Sequence, residues 1–316
     1  MRTPGVADTN EIAPGAVDHH PRHTELSAST QGDGCRIHAL IRLEQGNEMD
    51  AEERADEAHE AEERSAPTAR VVHAAVVEQG EDELERPISS LFWSGVAAGI
   101  AIMASVWVSG ALHLYLPEAG WSEMVVALGY PFGFLIVILG RLQLFTEHTA
   151  VAVLPVAQHP TMRGMLRLAR LWVTVFVANL IGAAAIAALV VVGHVQSPEL
   201  LDAMVVVSHK LVERGVMDTL LQAIPAGFLI ASIAWIRSAI EGSGFMVVVA
   251  VTYAISLCGF AHVIAGAAEA FVLLWHGDVT AGWVATGFLL PALAGNIIGG
   301  TGLFALLGHA QVKNEL

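Results

Sequence analysis

The sequence predicts an all-α integral membrane protein: six transmembrane helices in a 3+3 inverted repeat, with helices 2 and 5 broken. Three observations lead there. Hydrophobic residues make up 54% of the 316 positions and charged residues only 15%, with a mean hydropathy of +0.56, a composition foreign to soluble domains. The apolar residues gather into six segments, two of them too long for one straight crossing. An asparagine-centred motif recurs between the third and sixth segments.

The charge is unevenly placed. Residues 1–90 hold 20 of the 31 Asp/Glu and 8 of the 16 Lys/Arg, so the net charge of −15 belongs mainly to the leading part of the chain. Residues 1–86 read as an acidic soluble tail, largely disordered, with a candidate charged helix in Asn47–Glu63. Within it, Val71, Val72, Val76 and Val77 offer a small docking patch for a soluble partner. Residues 87–312 form the membrane domain and 313–316 a short C-terminal end. No cationic surface is available to neutralise phosphates, which argues against nucleic-acid binding. Cys35 and Cys258 supply neither a disulfide framework nor a thiolate metal cluster. Met1–Arg22 lacks the apolar run of a secretory signal, which leaves membrane targeting to the internal segments.

Pro87 suits the first turn of the helix that leads into span 1, Leu91–Leu112. The other spans are Met124–Val156, Leu168–Val192, Met217–Trp235, Phe245–Leu274 and Trp283–Leu307. About 20 apolar residues cross the hydrocarbon layer, so spans 2 and 5 must bend or break. Each carries an interruption: Arg141, Gln143, Thr146, Glu147 and His148 in span 2, and Cys258 to His262 with Gly266 in span 5. Ala178-Asn179-Leu180-Ile181-Gly182 of span 3 matches Gly295-Asn296-Ile297-Ile298-Gly299 of span 6, 117 residues on, and that offset carries Phe145 onto His262. Three crossings followed by three related ones invert the second unit, so the broken spans meet near the midplane. Arg86, Arg163, Arg167, Arg170, Arg237 and Lys313 fall on one side, cytoplasmic by the positive-inside rule, as do both termini. Lys210 and Arg214 then face outward.

His262 is the leading candidate for a pathway residue, because an imidazole in the middle of an apolar segment is costly unless it is paired or meets a cavity. A buried, paired structural histidine is the competing reading. Thr146 can offer a hydroxyl to His262 or to a solute, or simply cap the helix after the break. Leu144 and Phe145 can form a narrow apolar section, or Phe145 can pack the break. Glu147 and His148 form a local pair or face a vestibule, and Arg141 is available to Glu147, Glu269 or Glu241. Lys210 attracts anions at the outer side or pairs with Glu213. Asn179 and Asn296 can hold the backbone freed at each break, with Gly259 and Gly266 giving the second break its conformational room. No local His/Cys/Asp/Glu quartet suggests a metal site.

The combination of Leu144-Phe145-Thr146, Lys210, Gly259-Phe260-Ala261-His262-Val263-Ile264-Ala265 and Gly295 to Gly300 resembles the formate/nitrite transporter family over residues 86–312. It is similar in particular to a less characterised branch carrying Gly-Arg-Leu-Gln-Leu-Phe-Thr-Glu-His in the first break and an acidic extension. The resemblance implies an aquaporin-like fold, a homopentamer in the cytoplasmic membrane and one pathway per protomer. It further implies Thr146 at the first break, His262 near the centre and Lys210 in the outer vestibule. The implied activity is passage of small monovalent anions or their weak acids, with no enzymatic step and no cofactor. Ala261 stands where family members commonly carry Glu, Gly266 where they carry Asn, and Gly227 near a pore-facing Asn of the usual pattern. Those departures leave room for two other functions: a scaffold or sensor with an occluded pore and a partner-binding tail, and a channel for neutral small solutes.

Overall fold

The computed structural model describes residues 66–240 and 244–313, together with 54, 56 and 242. The chain divides into residues 1–65, nearly all outside the described set, and a compact unit from Ala66. The candidate charged helix of Asn47–Glu63 lies, apart from 54 and 56, outside the described residues.

All regular structure among the described residues is helical. Helix α1 (Ala69–Glu85) is followed by α2 (Ile88–Tyr115), α3 (Ser122–Leu139), α4 (Phe145–Val151), α5 (Val153–Gln158) and α6 (Met162–Val192). The second half comprises α7 (Pro198–His209), α8 (Val216–Ala239), α9 (Phe245–Leu257), α10 (Val263–His276) and α11 (Ala281–Val312). Five of these, α2, α3, α6, α8 and α11, are long and apolar enough to cross a membrane, and the shorter apolar pair α9 and α10 makes the sixth crossing. The protein is a multi-pass membrane protein with the expected broken second and fifth spans.

Each repeat is held by the close pairing of its first and third spans. Helix α2 lies along α6, and α8 lies along α11. Backbone approach sets these pairings: a Cβ on Gly99 would strike the Asn179 carbonyl, and one on Gly227 the Asn296 carbonyl. Gly227 is therefore buried in the α8–α11 contact, which explains why no polar side chain stands there.

Two elements differ from expectation. Helix α7 falls between the six hydropathy segments; Ser197 caps it by accepting from the Leu200 amide, and Pro198 occupies its first turn. Helix α1 belongs to the compact unit and not to the soluble tail, so the boundary expected at residue 86 moves to 65. The reason is its spacing: Val72, Val76 and Val77 share one face and pack on Ala150, Val151, Leu154, Ala231 and Ala305. The valine patch thus finds a partner within its own chain. Gly80 brings α1 so close that a Cβ would strike the Val151 carbonyl.

Candidate functional site: two helix breaks joined by a buried histidine

Both breaks use the same backbone device. Helix α3 ends with Leu142 N donating to the Val137 carbonyl (2.9 Å) and Arg141 N to Ile138 (3.3 Å); α9 ends with Phe260 N donating to Ile255 (2.9 Å) and Gly259 N to Ser256 (3.0 Å). This is the Schellman closure, and its penultimate residue is left-handed in both: φ is 53° at Arg141 and 67° at Gly259. The chain then runs extended through Leu144 (φ −100°, ψ 124°) and His262 (φ −105°, ψ 125°) into α4 and α10.

These equivalences set the offset between breaks at 118, not 117. Leu144, and not Phe145, is the counterpart of His262. The asparagines remain 117 apart because the stretch from break to asparagine is one residue shorter in the second repeat.

Asn179 and Asn296 tie each break to its neighbours. Asn179 Oδ1 accepts from Phe145 N (2.9 Å), and its Nδ2 donates to the carbonyls of Gly95 and Gln143 (both 2.8 Å). Asn296 Oδ1 accepts from Val263 N (2.8 Å), and its Nδ2 donates to Ala223 (2.7 Å) and Ala261 (3.0 Å). Inside a membrane such groups have no water to turn to, so one side chain satisfies three main-chain groups at each break.

The two repeats meet at Thr146 and His262. Thr146 Oγ1 lies 2.6 Å from His262 Nε2, and both residues are buried. The tautomer follows from the other ring nitrogen: Nδ1 accepts the Ala265 amide at 3.1 Å, so the ring hydrogen is on Nε2 and donates to Thr146. His262 is thus both the cap of α10 and the partner of Thr146; a second proton on Nδ1 would break the cap. Phe134 stands edge to face against the imidazole, ring centroids 5.0 Å apart. Gly266 is filled by Phe288, whose ring a Cβ there would strike. Phe145 packs away from the imidazole, against Trp172 and Phe176 of α6. Sequence spacing missed Phe134 and Phe288, because each lies inside an unbroken apolar run.

A cavity lies on either side of this contact. The one on the side expected from the charge bias to face outward, called the outer cavity, about 350 Å³, reaches His262 and Gly266 and is walled by Tyr130, Lys210, Arg214 and Glu269. Lys210 forms an exposed ion pair with Glu123. Glu269, a candidate partner of Arg141 by sequence, lies seven residues, two helical turns, beyond His262 on α10 and in this cavity, away from Arg141. The inner cavity, about 380 Å³, is walled by Glu83, Arg86, Arg141, Gln143, Glu147, His148 and Arg237.

Glu147 and His148 do not pair with each other. Glu147 meets Arg237 of α8 at 3.4 Å, and His148 meets Glu83 of α1 at 3.5 Å. His148 Nδ1 lies 2.8 Å from the Leu144 carbonyl, which turns the other nitrogen toward α1. Glu83 also accepts from Gln143 (2.9 Å) and meets Arg86 (3.3 Å). Burial pushes the Glu83 carboxyl up, but His148, Arg86 and Gln143 together hold it below its ordinary value. Arg141 has no ion pair or side-chain hydrogen bond among the described residues: of its three candidate partners, Glu147 is taken by Arg237, Glu269 lines the other cavity and Glu241 lies outside the described residues. Arg141 also occupies a conformation that glycine takes in the other repeat. Arg141→Gly should therefore relieve up to ~1 kcal/mol of backbone strain; the melting temperature in detergent is expected to rise, and a fall would assign Arg141 a stabilising contact.

Fold and site together define a membrane protein whose half-helices enter from opposite faces and meet at a polar contact between two cavities. The chain belongs to the formate/nitrite transporter family, whose description matches residues 70–310. It is 36% identical over 269 residues to the Escherichia coli "Inner membrane protein YfdC", covering 85% of this chain and 87% of that protein. It is 25% identical over 245 residues to the Bacillus subtilis "Uncharacterized transporter YrhG", covering 74% and 89%. Among solved structures it shares its fold with a "Pentameric formate channel with formate bound" (TM-score 0.63, 16% identity, 72% of this chain and 98% of that chain). It shares it equally with an "FNT family ion channel" (TM-score 0.65, 16% identity, 77% and 98%). Among the described residues no group of three or more His, Cys, Asp or Glu is placed to hold a metal ion.

Proposed function

We propose that this chain carries small monovalent anions such as formate or nitrite, or their conjugate weak acids, across the cytoplasmic membrane. Each protomer of a homopentamer provides one pathway, and both termini are cytoplasmic. The observation that carries this reading is the 2.6 Å Thr146–His262 contact, buried between two cavities that open to opposite sides.

Lys210 at the outer rim raises the local anion concentration; its ion pair with Glu123 is exposed, a type worth no more than ~1 kcal/mol and readily exchanged. At the base of the outer cavity the anion replaces Thr146 as acceptor of the His262 Nε2–H. Beyond this point Leu144 and Phe134 are wholly buried, and a bare charge there is costly. A proton taken from the outer bulk and relayed through the cavity water converts the anion to its neutral acid, which crosses the apolar stretch and releases that proton to the inner cavity as it ionises again. Thr146 reclaims the imidazole hydrogen bond behind it. Asn179 and Asn296 keep the two breaks open without touching the solute.

Purified protein in liposomes tests this reading with a panel of formate, nitrite, acetate and glycerol under an imposed pH gradient. Uptake of at least one of the anions above that of empty liposomes is expected. Glycerol flux that ignores the gradient would favour a neutral-solute channel. No flux from inserted, assembled protein would favour a scaffold with a closed pore.

A further inference from the structure

The left-handed turn that precedes each half-helix carries a guanidinium, by a different route on each side. In the first repeat the turn residue is Arg141 itself, in the wall of the inner cavity. In the second repeat the equivalent residue is Gly259, which has no side chain. There the connection between α7 and α8 supplies Arg214, whose Nη2 lies 3.5 Å from the point where a Gly259 Cβ would stand. Arg214 is in the wall of the outer cavity, with Gly259 and His262.

These two cations also stand apart in their pairing. The other Lys and Arg side chains of the two cavities are engaged: Arg86 with Glu83, Arg237 with Glu147 and Lys210 with Glu123. Arg141 and Arg214 have neither an ion pair nor a side-chain hydrogen bond among the described residues. A guanidinium presents five donors in a fixed fork that fits two carboxylate oxygens at once, whereas an ammonium acts as a point charge. Arg141 stands in a backbone conformation unfavourable to any residue with a Cβ, at a position that glycine fills in the other repeat.

We propose that Arg141 and Arg214 are carboxylate-holding groups, one beside each left-handed turn and one in each vestibule, and that a small monocarboxylate rests on them before and after passing His262. Lys210 then steers from the rim, and Arg214 holds. Glu269 shares the outer cavity with Arg214 and competes for the same donors, which keeps the resting time of a captured anion short. The word "passing" rests on the transport reading above; the binding does not.

Phenylglyoxal labelling of the purified full-length protein, read residue by residue by mass spectrometry, tests the pair without requiring flux. Formate is titrated against chloride at constant ionic strength. Labelling of Arg141 and Arg214 is expected to slow about threefold once formate reaches about twice its dissociation constant, while Arg163 keeps its chloride rate. Unchanged labelling of both Arg141 and Arg214 across the titration overturns the proposal, even if the liposomes conduct formate. Protection without flux removes the transport reading and leaves the binding pair standing. In conducting liposomes, Arg214→Gln should raise the half-saturating formate concentration from the outer face and Arg141→Gly from the inner face, both persisting at high salt. The Lys210→Gln effect should fade with salt, because long-range attraction is screened. Loss of the Arg214→Gln effect at high salt would also contradict the holding role.

Discussion

Asn296→Leu is expected to prevent assembly of the second repeat. Leucine fills a similar volume but leaves Val263 N without an acceptor and the Ala261 carbonyl without a donor at the second break, and it removes the tie to the Ala223 carbonyl of α8. Each buried group left unsatisfied costs about 1–3 kcal/mol, so the change removes roughly 3 kcal/mol or more from a fold of ordinary stability, about 5–15 kcal/mol. The protein should be recovered in low yield and elute as aggregate on detergent size-exclusion chromatography. Asn296→Asp keeps the acceptor oxygens and loses both donors, and should fall between. Wild-type elution and melting temperature in the leucine variant would mean that the break is held by something other than this side chain.

The part of the fold that reads directly from the chain is the part set by hydropathy and by repeated polar residues. Asn179 and Asn296 are legible because an amide in an apolar helix must find partners, and a helix break is where backbone groups need them. The register between the breaks is less legible. The 117-residue spacing of the asparagines does not reveal that one repeat is a residue shorter between break and asparagine, and so it points to Phe145 in place of Leu144 as the counterpart of His262. The aromatic next to the imidazole was hidden for a related reason. Phe134 and Phe145 are equally plausible neighbours in sequence, and only the direction of each helix sends one toward His262 and the other toward Trp172 and Phe176. Helix α1 was obscured by its composition. Its charged residues resemble the acidic stretch before it, while the valines that dock it are too few to raise the mean hydropathy. Ion-pair choices are the least legible of all: Arg237 takes Glu147 and Glu83 takes His148 across distances that no local motif records.

His262→Asn is the substitution with the largest expected effect on function while the fold is kept. Histidine here has two duties, accepting the Ala265 amide at Nδ1 and presenting Nε2–H to Thr146. Asparagine is a good helix cap and can take over the first. Its side chain is too short for the second, so the anion is no longer held where it takes up a proton, and what crosses is the ion. The variant should therefore assemble as the wild type does, while the hydrogen-bond donor at the base of the outer cavity is lost. The measurement is formate uptake into liposomes by wild type and His262→Asn side by side, from about pH 5 to 8, with oligomeric state checked in parallel. Wild-type uptake is expected to rise as the pH falls, and that of the variant to stay flat within about twofold over the same interval, with a measurable ion leak. An assembled His262→Asn protein with the wild-type rate and the wild-type pH profile would contradict the assignment of the Thr146–His262 contact as the point where the anion is met and neutralised.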